Sequence, residues 1–466
     1  MTQTALKLYH RMPGRVRSLV GSLYGYKMRA WRYGPETEQI VAEALERERW
    51  PVDKLRAWQQ ERLAETLHRA ATKVPHYRDA WSRRRQSGDR RSWERIEHWP
   101  ILEKQTLRDR PEAFLAEDSD PRRLYCDSTS GTTGTPIKLW QSRGMIRMWY
   151  GLAEARWRRW YGVRDRDRWA ILGGKMVVSP QQKKPPYWIW NQAFQQLYLS
   201  SYHVSSETIG AIVGELDRRR IRYLVGYTAS LHQLAHAVLE RGLRPKRLAF
   251  ALSNGEPVFE YQRKAVREAF GCELRESYGL SEACVAASEC EHGQMHLWPE
   301  PGWVEAVRDD EPLPEGETGE LLCTSLLNRD MPLIRYRVGD RGALAPHSPC
   351  GCGRSLPTIA SLEGRIDDVF HMADGRVLSP NTIDIIFQGD LPLREAQIVQ
   401  KSLEHVRIRY VPAPGFDESA SRRMQGYLRE RLGPIEISLE ELERIPRGPN
   451  GKFKVVASEV ARGSAL

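Results

Sequence analysis

The 466-residue sequence has no long hydrophobic run: nowhere does it approach the roughly 20 consecutive apolar residues needed to cross a bilayer, which excludes an ordinary membrane-spanning helix. Its first residues do not read as a secretory leader. Met12, Pro13 and Gly14, with arginines on both sides, interrupt the apolar core of roughly 7–15 residues that such a leader requires, so the expected location is the cytoplasm. Cysteine is sparse, and the seven present are an odd number in a large chain, which excludes a disulfide framework. There is no internal repeat and no low-complexity tract. Acidic residues are absent from the first 34 positions, which carry Lys7, Arg11, Arg15, Arg17, Lys27, Arg29 and Arg32. That basic stretch is mixed with Leu6, Leu8, Leu19, Val20, Leu23 and Trp31. It reads first as a packed terminal helix with a solvated basic face, and second as a helix lying on the inner membrane surface as a peripheral contact.

What is present describes a soluble globular chain. Apolar residues make up 41% and charged residues 28%, and the length suggests two to four structural units at about 150 residues each. The net charge of +11 suits a partner of opposite sign without choosing one. Residues 36–86 place Leu55, Trp58, Leu63, Leu67 and Ala71 near helical spacing, which predicts amphipathic helices. From about residue 120, short apolar runs (Trp169–Leu172, Tyr223–Val225, Leu248–Leu252) alternate with helical stretches at 206–220 and 229–241. This is the pattern of βαβ units and a largely parallel sheet. Beyond Gly364 the strands Ile366–His371, Val406–Val411 and Ile435–Leu439, with a helix at 419–432, predict a small α+β tail. The expected fold is therefore α/β: a large N-terminal domain, mainly of parallel sheet and helices, and a small C-terminal α+β domain. The expected divisions are a helical region at 1–119, a nucleotide- and acid-binding core at 120–365, and a small domain at 366–466.

The stretch Ser128-Thr129-Ser130-Gly131-Thr132-Thr133-Gly134-Thr135-Pro136 sets hydroxyls and glycines directly after a short apolar segment. Glycine permits the positive φ of a tight cradle, so backbone N–H groups and hydroxyls can turn toward one anion, most naturally a triphosphate. Alone, such a stretch is more often a mobile surface loop than a phosphate cradle. It also lacks the lysine of the common GxxxxGK[ST] phosphate loop. Ser253-Asn254-Gly255-Glu256-Pro257 and Tyr278-Gly279-Leu280-Ser281-Glu282 follow: an aromatic ring can stack on a purine and a carboxylate can hold Mg²⁺. Next come Tyr336-Arg337-Val338-Gly339-Asp340, Gly364-Arg365-Ile366-Asp367-Asp368 and Ile445-Pro446-Arg447-Gly448-Pro449-Asn450-Gly451-Lys452-Phe453. Each could separately be a turn or an ion pair; in this order, chance is a poor account of them.

This ordered series resembles the acyl-CoA synthetase and adenylation superfamily. Within it, the chain resembles the phenylacetate-CoA ligase branch and relatives associated with capsule and polysaccharide loci. The branch likeness rests on Ala71-Thr72-Lys73-Val74-Pro75-His76-Tyr77-Arg78, Gln397-Ile398-Val399-Gln400 and a cysteine pattern. The resemblance implies that Ser128 to Gly134 cradle the ATP phosphates and that Gly255, Glu256, Tyr278, Gly279 and Ser281 surround the adenine and phosphates. It further implies that Glu282 holds Mg²⁺, Asp340 binds the ribose hydroxyls and Arg365 contacts nucleotide. Asp367 becomes the pivot of a mobile small domain, and Lys452, which directly follows Gly451, the catalytic lysine, with Lys454 left to solvent.

The implied activity is ATP-dependent formation of an acyl-AMP with release of pyrophosphate, then acyl transfer to coenzyme A. Two alternatives are kept: transfer to an amine or hydroxyl to make an amide or ester in polysaccharide or natural-product biosynthesis, and a non-catalytic nucleotide-binding scaffold in glycan assembly. The acid, small or glycan-linked, is not legible; the region holding Lys175, Lys183, Lys184 and Pro185-Pro186-Tyr187-Trp188-Ile189-Trp190 offers both cations and aromatics. No nucleic acid is expected as a partner, and a homodimer is compatible. Cys290, His296, Cys350 and Cys352 make up the ligand set of a closed structural Zn²⁺ site, with His292 as a rival ligand and ordinary buried cysteines as the other reading.

Overall fold

The computed structural model describes residues 8–128, 137–365, 370–371, 377–378, 391–432, 435–447 and 453–460. Three helices, Thr37–Arg47, Val52–Lys73 and Pro75–Gln86, realise the predicted amphipathic stretch. The second buries Leu55, Leu63, Leu67, Ala70 and Ala71 along one face. It stops at Val74 because the residue before a proline is pushed out of the helical region, and Pro75 then opens the next helix at its first position.

A hairpin, β1 (Tyr125–Ser128) with β2 (Lys138–Gln141), precedes the main sheet. That sheet is built from β3 (Trp169–Gly173), β4 (Trp188–Asn191), β5 (Gln196–Ser200), β6 (Tyr223–Gly226), β7 (Phe250–Asn254), β8 (Leu274–Gly279), β9 (Ala286–Glu289), β10 (Met295–Leu297), β11 (Gly302–Arg308), β12 (Glu311–Pro312), β13 (Gly319–Ser325), β14 (Tyr336–Leu344) and β15 (Thr358–Arg365). Among the described residues these thirteen strands form one sheet in the order β12-β11-β13-β14-β15-β10-β9-β8-β7-β6-β3-β5-β4. The run from β8 to β5 is parallel, joined by helices such as Ile209–Arg218, Thr228–Glu240 and Glu260–Phe270, as the alternating pattern predicts. From β8 to β12 every pair is antiparallel, so the parallel character read from the sequence covers one half of the sheet. Local βα periodicity is blind to hairpin pairings of this second half.

Each half has its own core. Leu172, Leu197, Leu224, Leu234, Ala251 and Leu274 fill the parallel half with its helices. In the antiparallel half, Leu67, Tyr77, Trp99 and Phe114 from the N-terminal helices pack against Val285, Leu321 and Tyr336. A separate four-stranded sheet, β18 (Leu393–Gln400), β19 (His405–Pro412), β20 (Glu436–Glu441) and β21 (Val456–Ser458), follows the short pair β16 (Phe370–His371) and β17 (Val377–Leu378). Helix Glu418–Leu432 covers it through Met424 and Leu428, giving the small α+β unit expected of the tail.

The basic N-terminal stretch forms the helix Gly14–Arg32. It packs as expected, but with its small residues inward and its apolar residues outward. No described helix is long and apolar enough to cross a membrane.

Candidate functional site

The seam between the two halves of the sheet carries the acidic motif residues. β8, the last parallel strand, ends at Tyr278 and Gly279, and the chain then turns through Leu280-Ser281-Glu282 before β9. Ala283 completes that turn at φ 51°, a left-handed conformation that side chains other than glycine adopt at a cost, and one that clusters at functional sites. On β14, Asp340 follows Gly339, itself at φ 79°, and pairs across the ladder with Arg365 of β15.

Two phenols lock these motifs together crosswise. Tyr278 Oη donates to Asp340 Oδ2 at 2.7 Å, and Tyr336 Oη donates to Glu282 Oε1 at 3.0 Å. Each motif thus lends the tyrosine four positions before its own acid to the acid of the other. β14 lies four places from β8 in the strand order, so these bonds require the antiparallel half to curl back over β8. Glu282 and Asp340 are buried, 8% and 3% exposed, so hydrogen bonds are what keep their carboxylates tolerable there. Burial and the Asp340 charge hold the Tyr278 phenol well above its ordinary range, so it remains a donor. Sequence reasoning had no role for Tyr336; the signal was its spacing from Asp340, the same as that of Tyr278 from Glu282.

A second cluster stands beside the seam at the end of β7. Gly255 takes φ 72°, which allows the tight turn into Glu256. The Glu256 carboxylate accepts from the Ala229 N–H at 2.8 Å, at the start of helix Thr228–Glu240, and from the Phe453 N–H at 2.8 Å. Phe453 belongs to the small domain and directly follows Lys452 in sequence, so the small domain meets the large one through Phe453 at the Gly255–Glu256 turn. Arg447 lies over the Phe453 ring, 4.4 Å from its centroid. Ser281 joins the seam through its carbonyl, which accepts from Gln141 Nε2 at 3.3 Å. Thr129, Ser130, Gly131, Thr132, Thr133, Gly134, Asp367 and Lys452 lie outside the described residues. Ser128 is the last residue of β1, opposite Lys138 of β2, so the stretch read from the sequence as a phosphate loop falls between the two strands of this hairpin.

A cavity of about 180 Å³ opens next to the acidic turn. Leu280, Ser281 and Ala283 line it on one side, and Trp31, Arg32 and Tyr150 on another. The Arg32 guanidinium sits 4.4 Å from the Tyr150 ring centroid. Sequence reasoning placed the acid near Lys175 and Trp188–Trp190 and did not foresee that the end of the first helix would reach this turn.

The predicted thiol and imidazole ligands converge. Donor atoms of Cys290, His296, Cys350 and Cys352 all lie within 4.8 Å of one another. Cys290 Sγ is 3.7 Å from Cys350 Sγ, and Cys352 Sγ is 3.4 Å from His296 Nε2. A tetrahedral zinc with bonds of about 2.3 Å to sulfur and about 2.0–2.1 Å to nitrogen puts two sulfurs about 3.8 Å apart and a sulfur and nitrogen about 3.5 Å apart, so the donor set fits that ion. His296 Nδ1 faces the Leu356 carbonyl at 3.3 Å, the outer contact that directs Nε2 toward the cluster. Beside it, Arg354 pairs with Glu291 at 2.7 Å and with the buried Glu48 at 3.3 Å. Glu48 also meets Arg156 at 3.0 Å, and Arg156, with no exposed surface, meets Glu300 at 2.7 Å. This buried ion network ties the N-terminal helices to the antiparallel half.

Comparison with known proteins agrees with this architecture. A model of the AMP-binding enzyme family matches residues 52–326, and one of the CapK C-terminal domain matches residues 370–459. The chain is 22% identical over 462 residues to Protein CapK of Staphylococcus aureus, covering 97% of this chain and 99% of that one. It is 29% identical over 476 residues to the phenylacetate-coenzyme A ligase of Thermus thermophilus, covering 91% of this chain and 98% of that one. A solved structure of 2-hydroxyisobutyryl-CoA ligase in the postadenylation state, in complex with 2-HIB-AMP, has the same fold, with a TM-score of 0.67 at 18% identity over 90% of this chain and 92% of that one. Matched by the family model over more than half of its length, and carrying the crossed acidic motifs at the seam of its sheet, the chain belongs to the AMP-binding enzyme family of adenylate-forming ligases.

Proposed function

We propose that the protein joins a carboxylic acid to AMP and then hands the acyl group to coenzyme A. In the first step a carboxylate oxygen attacks the α-phosphorus of ATP, a P–O bond forms, and pyrophosphate leaves. In the second, the coenzyme A thiol loses its proton, its sulfur attacks the acyl carbonyl, and AMP leaves. The observation that carries this reading is the crossed pairing of Tyr278 with Asp340 and of Tyr336 with Glu282, which presents two fixed carboxylates at one seam. Such a site works by positioning and by charge already in place.

Asp340 would accept the ribose hydroxyls, as a carboxylate with two oxygens can. Gly255, Glu256, Tyr278 and Gly279 would surround the adenine, with Ser281 and the Ser128–Gly134 loop on the phosphates and Arg365 on the nucleotide. Glu282 would hold Mg²⁺, which neutralises phosphate charge when bound. Lys452 would meet the charge that builds up between carboxylate and α-phosphate. Its neighbour Phe453 docks on Glu256, which supports a closed arrangement for the first step. Asp367 would be the pivot on which the small domain later turns. The cavity of about 180 Å³ beside Leu280–Ala283 would take the acyl chain, its aromatic walls favouring a flat or apolar acid. Cys290, His296, Cys350 and Cys352 would hold a structural Zn²⁺ with no position left open for catalysis. Metal analysis should find about one zinc per chain, lost in Cys290→Ser; metal-free protein of unchanged stability would rule that out.

The test is ATP–pyrophosphate exchange across a panel of carboxylic acids, followed by competition between coenzyme A and amines for the product. Acid-dependent exchange and a thioester product are expected. Lys452→Ala should abolish exchange while leaving ATP binding in place. ATP binding without exchange for any acid would return the scaffold reading, and an amide product would replace coenzyme A as acceptor.

A further inference from the structure

The helix Gly14–Arg32 is inside out. At about 100° per residue, Val16, Leu19, Val20, Leu23, Lys27 and Ala30 share one face, and that face points to solvent. Leu19 is 59% exposed and Leu23 63%, and Tyr24 and Tyr26 flank them, each more than half exposed. The opposite face, made of Gly14, Ser18, Gly21, Ser22 and Gly25, meets the protein. It lies on β4, the edge strand that pairs antiparallel with β5 beyond the parallel run. Ser18 Oγ accepts from the Trp190 N–H at 3.1 Å, and Ser22 Oγ accepts from the Gln192 N–H at 3.0 Å. A Cβ on Gly25 would stand 2.3 Å from Asn191 Oδ1, and one on Gly21 3.1 Å from Ile189 Cδ1, so a larger residue at either position would have to push these side chains aside. The helix therefore covers a sheet edge with its polar and small side, which leaves its leucines outward.

The charge along the helix and its lead-in has one sign. No Asp or Glu occurs between residues 8 and 35, whereas Arg11, Arg15 and Lys27 are exposed along the helix and its lead-in. A neighbouring loop joins the same surface: the Met176 carbonyl meets His10 Nε2 at 2.8 Å, and Gln182 Oε1 accepts from Arg17 Nη2 at 2.9 Å. That loop, residues 174–186, also lacks acids and adds exposed Met176, Lys183 and Lys184. Among the described residues, every large apolar side chain that is strongly exposed lies on this helix, its lead-in or this loop. A convex apolar ridge with aromatic flanks and basic margins suits the interfacial layer of an anionic bilayer, where leucines enter the acyl boundary and cations meet headgroup phosphates.

We propose that this face docks the enzyme on an anionic lipid surface, with Leu19 and Leu23 inserting and Arg15, Lys27, Lys183 and Lys184 supplying the attraction. The docking would be peripheral and reversible, and independent of the ligase chemistry. The test is flotation of the full chain with vesicles of phosphatidylcholine alone and with vesicles containing about one-third phosphatidylglycerol, at low and high salt. Binding is expected only to the anionic vesicles and should weaken with salt. The Leu19→Glu/Leu23→Glu double variant should bind at least about tenfold more weakly, since two buried leucine side chains are removed from the interface. Arg15→Glu/Lys27→Glu should also bind more weakly, and both variants should keep the thermal midpoint and ATP–pyrophosphate exchange of the parent. Failure to bind anionic vesicles at low salt, equal binding to both vesicle types, or undiminished binding by both variants would overturn the proposal. So would a concentration-dependent dimer that the leucine variant abolishes, because the face would then belong to a second copy of the chain.

Discussion

The two halves of the thirteen-stranded sheet are held together differently. On one face the parallel half packs aliphatic strands against aliphatic helices, with Leu172, Leu197, Leu224 and Leu274 buried, and on the other it stacks Trp169, Tyr223 and Phe250. The antiparallel half also packs aromatics and aliphatics, but it adds the buried Glu48–Arg156–Glu300 network and the cysteine–histidine cluster. It curls back far enough to place Asp340 against Tyr278. The difference separates framework from site: the half that repeats a local βα unit makes a platform, and the half assembled from distant hairpins brings the acidic groups onto it.

If that division is right, the largest loss of stability should come from the ion network. Arg156→Leu takes away the cation that Glu48 and Glu300 share and leaves each a single cationic partner, Arg354 and Arg47, so the loss should lie toward the lower end of the roughly 3–5 kcal/mol that breaking a buried pair costs. Urea unfolding should show the loss; a drop below about 1 kcal/mol would mean that the two halves do not depend on this junction. Next in size is the chemistry at the seam. Glu282→Gln keeps the shape but removes the charge, and exchange activity should fall by about 10²–10³-fold, as when a charge-stabilising group is lost. Unchanged folding alongside that loss would separate the seam from the framework.

Tyr336→Phe removes from a fully buried ring the hydroxyl that donates to Glu282. A hydrogen bond to a charged partner is worth about 1.5–3 kcal/mol, so exchange should drop by roughly ten- to a hundredfold, the larger part in turnover. An effect confined to stability would reduce the crossed pairing to a packing feature. The smallest expected change concerns Glu276 on β8, where desolvation outweighs Arg263 at 3.7 Å and, with Glu289, pushes the carboxyl up to about 7. The folded state therefore binds this proton more tightly than the unfolded state, and its contribution is full at low pH and lost as pH rises from about 4.5 toward 7. Glu276→Gln should flatten the stability profile over that window and stabilise the protein slightly above it; an unaltered profile would remove Glu276 from the account.

Much of the platform was legible because its signals are local. The strands around Trp169, Tyr223 and Phe250, and the helices after them, follow from alternation within a few residues, and the helix break at Val74-Pro75 follows from proline sterics. The acidic residues of the site could also be named, since Glu282 and Asp340 lie in recognisable motifs. Their pairing was not legible. Tyr278 and Asp340 are 62 positions apart, Tyr336 and Glu282 are 54 apart, and only the curl of the sheet makes them neighbours. The antiparallel strand order and the cavity shared by Arg32 and Leu280 were hidden for the same reason.

The N-terminal helix marks the boundary between the two kinds of knowledge. Its sequence determined that residues 14–32 could form a basic, amphipathic helix, because spacing and composition are properties of the segment itself. Which face turned inward was decided by the exposed edge of β4, whose backbone needed hydrogen-bonding partners and close approach. Ser18, Ser22, Gly21 and Gly25 supply these and the leucines cannot. The same holds for the whole chain: the sequence determined the elements and the chemistry of its motifs, and the tertiary structure decided which side chains meet, because those contacts depend on backbone far away in the sequence.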